Sequence, residues 1–269
     1  MPMISQSKEP SDTSNPSPLE SELKGEAKRF LIKVCGMRDA KNIRDVADLD
    51  IDLMGFIFYP KSKRFVQMIS SQAGIIPDYS PERLSKAVHA DGSKGYVFPK
   101  RVKRVGVFVD EMPQTIVTYV YNYSLDFIQL HGSEEPVMID NLRRTLIPDI
   151  VPQIKFIKAF GISSEADLNK CYDYEGHADI FLFDTRTPLK GGSGQKFDWD
   201  VLQSYHGNTP FLLSGGIGPD DAERVLNFSH PMCAGIDLNS KFETAPAMKD
   251  VEKLRTFIDK IRKGKNENL

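Results

Sequence analysis

Charge imbalance is missing from this chain. In 269 residues, 35 Lys and Arg stand against 37 Asp and Glu, a formal net charge of −2. No general electrostatic pull toward nucleic acid or an anionic membrane follows from that balance. Long apolar runs are missing too, and none approaches the roughly 20 residues that a membrane span needs. Cysteine is scarce: Cys35, Cys171 and Cys233 are the whole set. They show no CxxC spacing and no nearby His pair, which argues against a disulfide framework or a metal site. Sparse unpaired thiols point to a reducing compartment, the cytoplasm. Residues 1–28 lack the apolar core of a signal peptide, and their Ser, Pro and Glu content reads as a flexible tail. What remains, 40% hydrophobic and 27% charged residues, is the usage of a soluble globular protein long enough for one sizeable core. The catalytic domain is expected over 29–265.

Eight short apolar runs then recur: LIKVC at 31–35, LMGFIFY at 53–59, VGVFV at 105–109, DFIQLH at 126–131, KFIKAF at 155–160, DIFLFD at 179–184, PFLLSG at 210–215 and CAGIDL at 233–238. Continuous rather than alternating apolarity suits parallel strands covered by helices. Helix-like stretches lie between them. Asp39–Ala47 is one, a second starts near Ser163 or Ser164 as cap, and a third runs over Pro219–Leu226. The segment 247–263 is strongly amphipathic, with Val251, Leu254, Phe257, Ile258 and Ile261 on one face. Six of the seven gaps between strand ends have the length of one βαβ repeat. Eight such units are the arithmetic of a single (β/α)8 barrel. An open doubly wound sheet uses the same units and is the alternative. The long gap between strands two and three carries an insertion around 70–101, with a helix expected within Ser80–His89.

In such a barrel the chemistry sits at the C-terminal ends of the strands. Strand one ends in Cys35 and strand six in Asp184, so a thiol and a carboxyl can face each other across the mouth as base and acid. Read singly, Cys35 is a small buried hydrophobe and Asp184 a loop cap. Gly215 and Gly216 follow strand seven, where backbone N–H groups can approach an anion ahead of a helix N-terminus. Asn239 and Ser240 follow strand eight and supply the other half of a phosphate site. Gln129 and His131 end strand four. Lys61, Lys63 and Arg64 follow strand two; a charge run of this kind is ordinarily solvated.

Taken together, KVCGMRDAKNI at 33–43, MGFIFYPKSKRFV at 54–66, FIQLHGSE at 127–134, FDTRTPLKGGSGQKFDW at 183–199, LLSGGIGPDDA at 212–222 and GIDLNSKFE at 235–243 resemble phosphoribosylanthranilate isomerase of tryptophan biosynthesis. The resemblance spans about 31–262. It implies a barrel of the ribulose-phosphate-binding type and an Amadori rearrangement without metal or organic cofactor. It also implies Asp184 as acid, Cys35 as base and Arg64 as the arginine that holds the substrate's anthranilate carboxylate. His131 and Gln129 would line that site, and Gly215, Gly216, Asn239 and Ser240 would bind phosphate. The acid must be protonated and the thiol ionised, the reverse of their ordinary order. Partial burial of Asp184 and cations around Cys35 are therefore expected. The loop at 189–195 is Gly-rich enough to close over substrate. Two departures stand out. The family's strand-eight loop reads close to Ser-Ser-Gly-Val-Glu, so Lys241 replaces a glycine beside the phosphate; it either adds its ammonium there or pairs with Asp237 or Glu243. The insertion also exceeds the family's usual length. Partners implied are one small-molecule substrate, no nucleic acid and no membrane, in a monomer or homodimer. Two rivals remain: a histidine-pathway barrel isomerase, which would carry an acidic residue in place of Cys35, and a non-catalytic phosphate-binding barrel.

Overall fold

β-Branched and aromatic runs of this length bury both faces when each strand pairs on both sides. The computed structural model, which describes residues 29–67, 98–185 and 198–266, satisfies that demand by closure. β1 (Leu31–Cys35), β2 (Leu53–Ile57), β3 (Lys103–Phe108), β4 (Phe127–Leu130), β5 (Lys155–Ile162), β6 (Ile180–Thr185), β7 (Phe211–Ser214) and β8 (Cys233–Leu238) are parallel and pair in chain order. β1 returns to β8 from Leu31↔Gly235 to Val34↔Leu238. That closing register decides for the barrel against the open sheet. The segment 1–28, the helix expected in Ser80–His89, most of the 70–101 insertion and the 189–195 loop lie outside the described residues.

Alternate strand residues turn inward and outward. Cys35, Val107, Phe127, Ile157, Leu182 and Leu212 belong to the cluster inside the barrel. Ile32, Val34, Phe56, Phe108, Phe156 and Phe183 belong to the larger cluster between barrel and outer layer. That layer holds α1 (Ala40–Ala47), α2 (Pro113–Tyr123), α3 (Pro136–Leu146), α4 (Ala222–Asn227) and α5 (Val251–Asn266). The Asp39 side chain caps α1 by accepting from the Asn42 N–H. Proline in the first turn starts α2 and α3, where its missing N–H costs nothing.

Several expected boundaries shift. The segment after β5 is a 3-10 helix, Glu165–Tyr174, with the N–H groups of Ser163 and Ser164 on the Asp167 carboxylate. The stretch from Pro219 opens with one 3-10 turn, and α-helix covers only Ala222–Asn227. The last helix begins at Val251, not 247: Ala247 has φ 65°, and a short hairpin of β9 (Glu243–Ala245) and β10 (Met248–Lys249) precedes it. Its expected apolar face holds, with Leu254, Phe257, Ile258 and Ile261 buried.

A device repeats at the N-terminal rim. Asp52, Asp126 and Asp179 stand immediately before β2, β4 and β6. Their carboxylates accept from the backbone N–H of Ile32 at 2.7 Å, Arg104 at 2.8 Å and Phe156 at 2.7 Å. Each therefore ties a strand to the start of its predecessor, at the face where barrel residues serve stability.

Candidate active site

Period-two alternation sends Lys33 and Cys35 of β1 to the same inward face. Cys35 is 4% exposed. Its thiol has room because β2 offers Gly55 in register with it; a Cβ there would lie 2.6 Å from Sγ. Below it Lys33, wholly buried, places Nζ 2.8 Å from Oδ1 of Asp237 on β8. Ser214 of β7 donates to the other oxygen of Asp237 at 3.2 Å. Burial pushes the Cys35 thiol above its ordinary value; the cations of Lys33 and Lys249 oppose that shift and Asp237 adds to it. Cations do surround Cys35, as expected, but burial outweighs them.

Asp184 is the penultimate residue of β6, in register with Gly161 and Ser214. In the ring only β7 and β8 separate it from β1. Its Oδ2 is 3.7 Å from Nε2 of His131, and its side chain is 21% exposed. Gln129, buried in β4, has its amide nitrogen 3.2 Å from His131 Nδ1. If that nitrogen donates, the imidazole proton sits on Nε2, toward Asp184. The His131 loop is held from beneath. Glu134 accepts from the N–H groups of Asp110 and Gly132. Lys158 donates to Glu134 at 3.1 Å and to the Gly132 carbonyl at 2.7 Å.

Arg64 is not a solvated charge. Lys61 and Lys63 are exposed, whereas Arg64 folds back over the end of β1. Gly36 makes this approach possible: its φ is 80°, and a Cβ would lie 2.5 Å from Cδ of Arg64. The guanidinium forks onto Glu243, Nε to Oε1 at 2.8 Å and Nη2 to Oε2 at 2.6 Å. Lys249, fully buried, donates to the same Oε1 at 2.6 Å and to Oδ1 of Asn239 at 2.9 Å. Burial alone pushes Glu243 up, but the bonds from Arg64 and Lys249 win and hold it below the ordinary carboxylate range. Burial draws Lys249 below the ordinary lysine value. The 2.6 Å contact is the geometry of a charge-assisted bond, so we treat the pair as ionised.

The geometry thus gathers a thiol, a carboxyl, an imidazole and an arginine fork at one rim, without a metal-ligating cluster among the described residues. A family model described as N-(5'-phosphoribosyl)anthranilate (PRA) isomerase matches residues 32–260. The chain belongs to the N-(5'-phosphoribosyl)anthranilate isomerase family. Two isomerases of this name are close relatives. That of Parabacteroides distasonis is 45% identical over 232 residues, 86% of this chain and 93% of that protein. That of Phocaeicola vulgatus is 41% identical over 233 residues, 87% and 98%. The solved phosphoribosylanthranilate isomerase of Thermotoga maritima has a TM-score of 0.65 at 30% identity, covering 87% of this chain and 100% of that one. Another, solved with reduced 1-(o-carboxyphenylamino)-1-deoxyribulose 5-phosphate, scores 0.64 at 27% identity, with 87% and 100% covered. As a phosphoribosylanthranilate isomerase, the chain performs the Amadori isomerisation of tryptophan biosynthesis.

The loops that carry the residues expected to bind phosphate follow β7 and β8, which pair in the ring. Gly215 and Gly216 leave β7 with φ of 97° and 71°. The two loops approach each other at Gly218, where a Cβ would lie 3.6 Å from Cβ of Lys241. The expected helix dipole is weaker than anticipated, since the turns at Pro219–Asp221 and Ser240–Phe242 are single 3-10 turns. The Gly218 N–H is already given to Asp221 at 2.8 Å. Lys241 is exposed and pairs with neither expected acid, because Lys33 holds Asp237 while Arg64 and Lys249 hold Glu243. Lys33, Asp237, Glu243, Lys249, Glu134 and Lys158 were not among the expected site residues. For Lys33 a signal existed: it stands two positions before Cys35, hence on the same face.

Proposed function

We propose that Cys35 is the general base and Asp184 the general acid of this isomerisation. The observation that carries the reading is their convergence, inward-facing, on one rim with His131 beside Asp184 and Arg64 lying over Gly36. Asp184 gives a proton to the furanose ring oxygen of N-(5-phosphoribosyl)anthranilate, and the ring opens to a Schiff base. The Cys35 thiolate takes the proton from C2 of the ribose, leaving an enolamine. Tautomerisation of the enolamine yields 1-(2-carboxyphenylamino)-1-deoxyribulose 5-phosphate. C1 is reduced as C2 is oxidised within one molecule, so the balance calls for no outside redox partner.

Arg64 holds the anthranilate carboxylate, since a planar guanidinium matches a carboxylate with two parallel bonds. His131 and Gln129 line that side. Gly215, Gly216, Asn239 and Ser240 receive the phosphate, with Lys241 near enough through Gly218 to add charge. We place the reaction in the cytoplasm, in a monomer or homodimer, where Cys35, Cys171 and Cys233 remain thiols.

Turnover is followed by the loss of anthranilate fluorescence. Cys35→Ala and Asp184→Ala each lower kcat by about 10²–10⁴, the usual worth of a proton-transfer group, with the melting temperature preserved. Near-normal turnover in either variant removes that residue from its role.

A further inference from the structure

We propose that Glu243 is the positioning residue of Arg64, holding the guanidinium by one edge so that the other edge is presented to the carboxylate of the substrate. The inference rests on the reading of Arg64 given above.

A guanidinium has two pronged edges, Nε with one Nη and the two Nη together. Glu243 takes the first completely, with bonds of 2.8 and 2.6 Å. Glu243 leaves Nη1 untaken, and the Arg64 side chain is 22% exposed, so among the described residues the end-on edge is the one left for a ligand. Glu243 itself is 5% exposed and is fixed from behind. Lys249 Nζ holds its Oε1, and the Ala247 N–H reaches the same oxygen at 3.2 Å. Lys249 is in turn clamped to α1 through Asn42. Its N–H donates to Oδ1 of Asn42 at 2.7 Å, and its carbonyl accepts from Nδ2 at 2.8 Å. A flexible arginine is thereby tied, through two intermediates, to a capped helix.

The charges favour the same conclusion. Lys249, Glu243 and Arg64 sum to +1, while the neighbouring Lys33 and Asp237 sum to zero. A half-buried cluster with one excess cation is completed by one anion, and the open edge of Arg64 is where a carboxylate docks with two bonds. A competing arrangement, in which Glu243 blocks Arg64 until substrate displaces it, would need Glu243 to give up four hydrogen bonds from three residues.

The test compares the full chain with Glu243→Gln and Arg64→Ala. Three probes are used: the reduced product analogue bearing the carboxylate, the same analogue without it, and inorganic phosphate. Arg64→Ala is expected to weaken the carboxylate-bearing analogue alone. Glu243→Gln is expected to weaken it about tenfold, to shift the other two probes less than about twofold, and to raise KM with kcat nearly kept, the mark of lost uniform binding. If Arg64→Ala weakens all three probes alike, the Arg64 reading fails and the positioning role falls with it. If Arg64→Ala is selective but Glu243→Gln changes nothing, affects all probes alike or tightens binding, only the role of Glu243 is overturned. Should Glu243→Gln fail to fold, a crystal structure of the wild-type complex decides. Retention of both Glu243 bonds beneath a bound carboxylate supports the role, and a displaced Glu243 overturns it.

Discussion

At the scale of the residue, Cys35 embodies a conflict between position and ionisation. A base buried in a barrel mouth is shielded from water, yet burial favours the neutral thiol. Lys33 and Lys249 counter that cost without overcoming it. A rate profile alone does not expose the conflict. When the acid must be protonated and the base ionised in reverse order, the active fraction is flat between their two values, and the limbs do not name their owners. Direct titration does. The difference in thiolate absorbance between wild type and Cys35→Ala is expected to have its midpoint above the ordinary thiol value. A midpoint below that value would mean that Lys33 dominates. The sign for stability follows. A folded thiol that holds its proton more tightly than the unfolded one stabilises the fold below the ordinary thiol value, and that share is lost as pH rises through the raised one. Unfolding free energy should therefore fall faster at alkaline pH in wild type than in Cys35→Ala.

At the scale of the element, the two rims of the barrel divide stability from chemistry. Asp126 binds the Arg104 N–H at the N-terminal rim. Asp126→Ala leaves that partly buried donor without its acceptor, which costs about 1–3 kcal/mol, and is expected to leave kcat untouched. Urea unfolding and the fluorescence assay measure both; a drop in kcat at unchanged stability would contradict the division. Glu134→Gln is expected to do more. It strands a Lys158 that is 3% exposed, at about 3–5 kcal/mol, and loosens the loop that presents His131, so stability and turnover fall together. The elements were legible to different degrees. Strands announced themselves because both faces of each are buried, and Cys35 and Asp184 followed from where strands end. The charged partners did not, because a lone Lys33 or Glu243 reads as surface until closure brings β8 and the β9–β10 hairpin against it. The Glu165–Tyr174 segment read as an ordinary helix from its cap, but its Asn, Cys, Asp and Tyr are weak helix formers, and it tightened to 3-10. The apolar spacing that marks α5 says nothing of the positive φ at Ala247, which delays the start of the helix to Val251.

At the scale of the whole molecule, closure makes every strand indispensable, and the chain's beginning is where this can be tested. The ring closes through Leu31–Val34. It is reinforced from α5, where Arg262 donates to the Phe30 carbonyl and to the Asp50 carbonyl at 2.8 Å. The Lys265 ammonium lies 4.7 Å from the centre of the Phe30 ring. Residues 1–28 are poor in apolar side chains, so they have little to bury. Deleting them is expected to move the melting temperature by no more than about 2 °C, the shift that a few tenths of a kcal/mol produces at this size, with turnover unchanged. Deleting residues 1–35 should have the opposite outcome. It removes Cys35 and the closing strand and leaves β2 and β8 as bare edges, each a template for unwanted pairing. That variant is expected to lose cooperative unfolding and to aggregate. A fall of more than about 5 °C on removing 1–28 alone would show that this segment packs on the barrel, and would move the start of the catalytic domain toward the N-terminus.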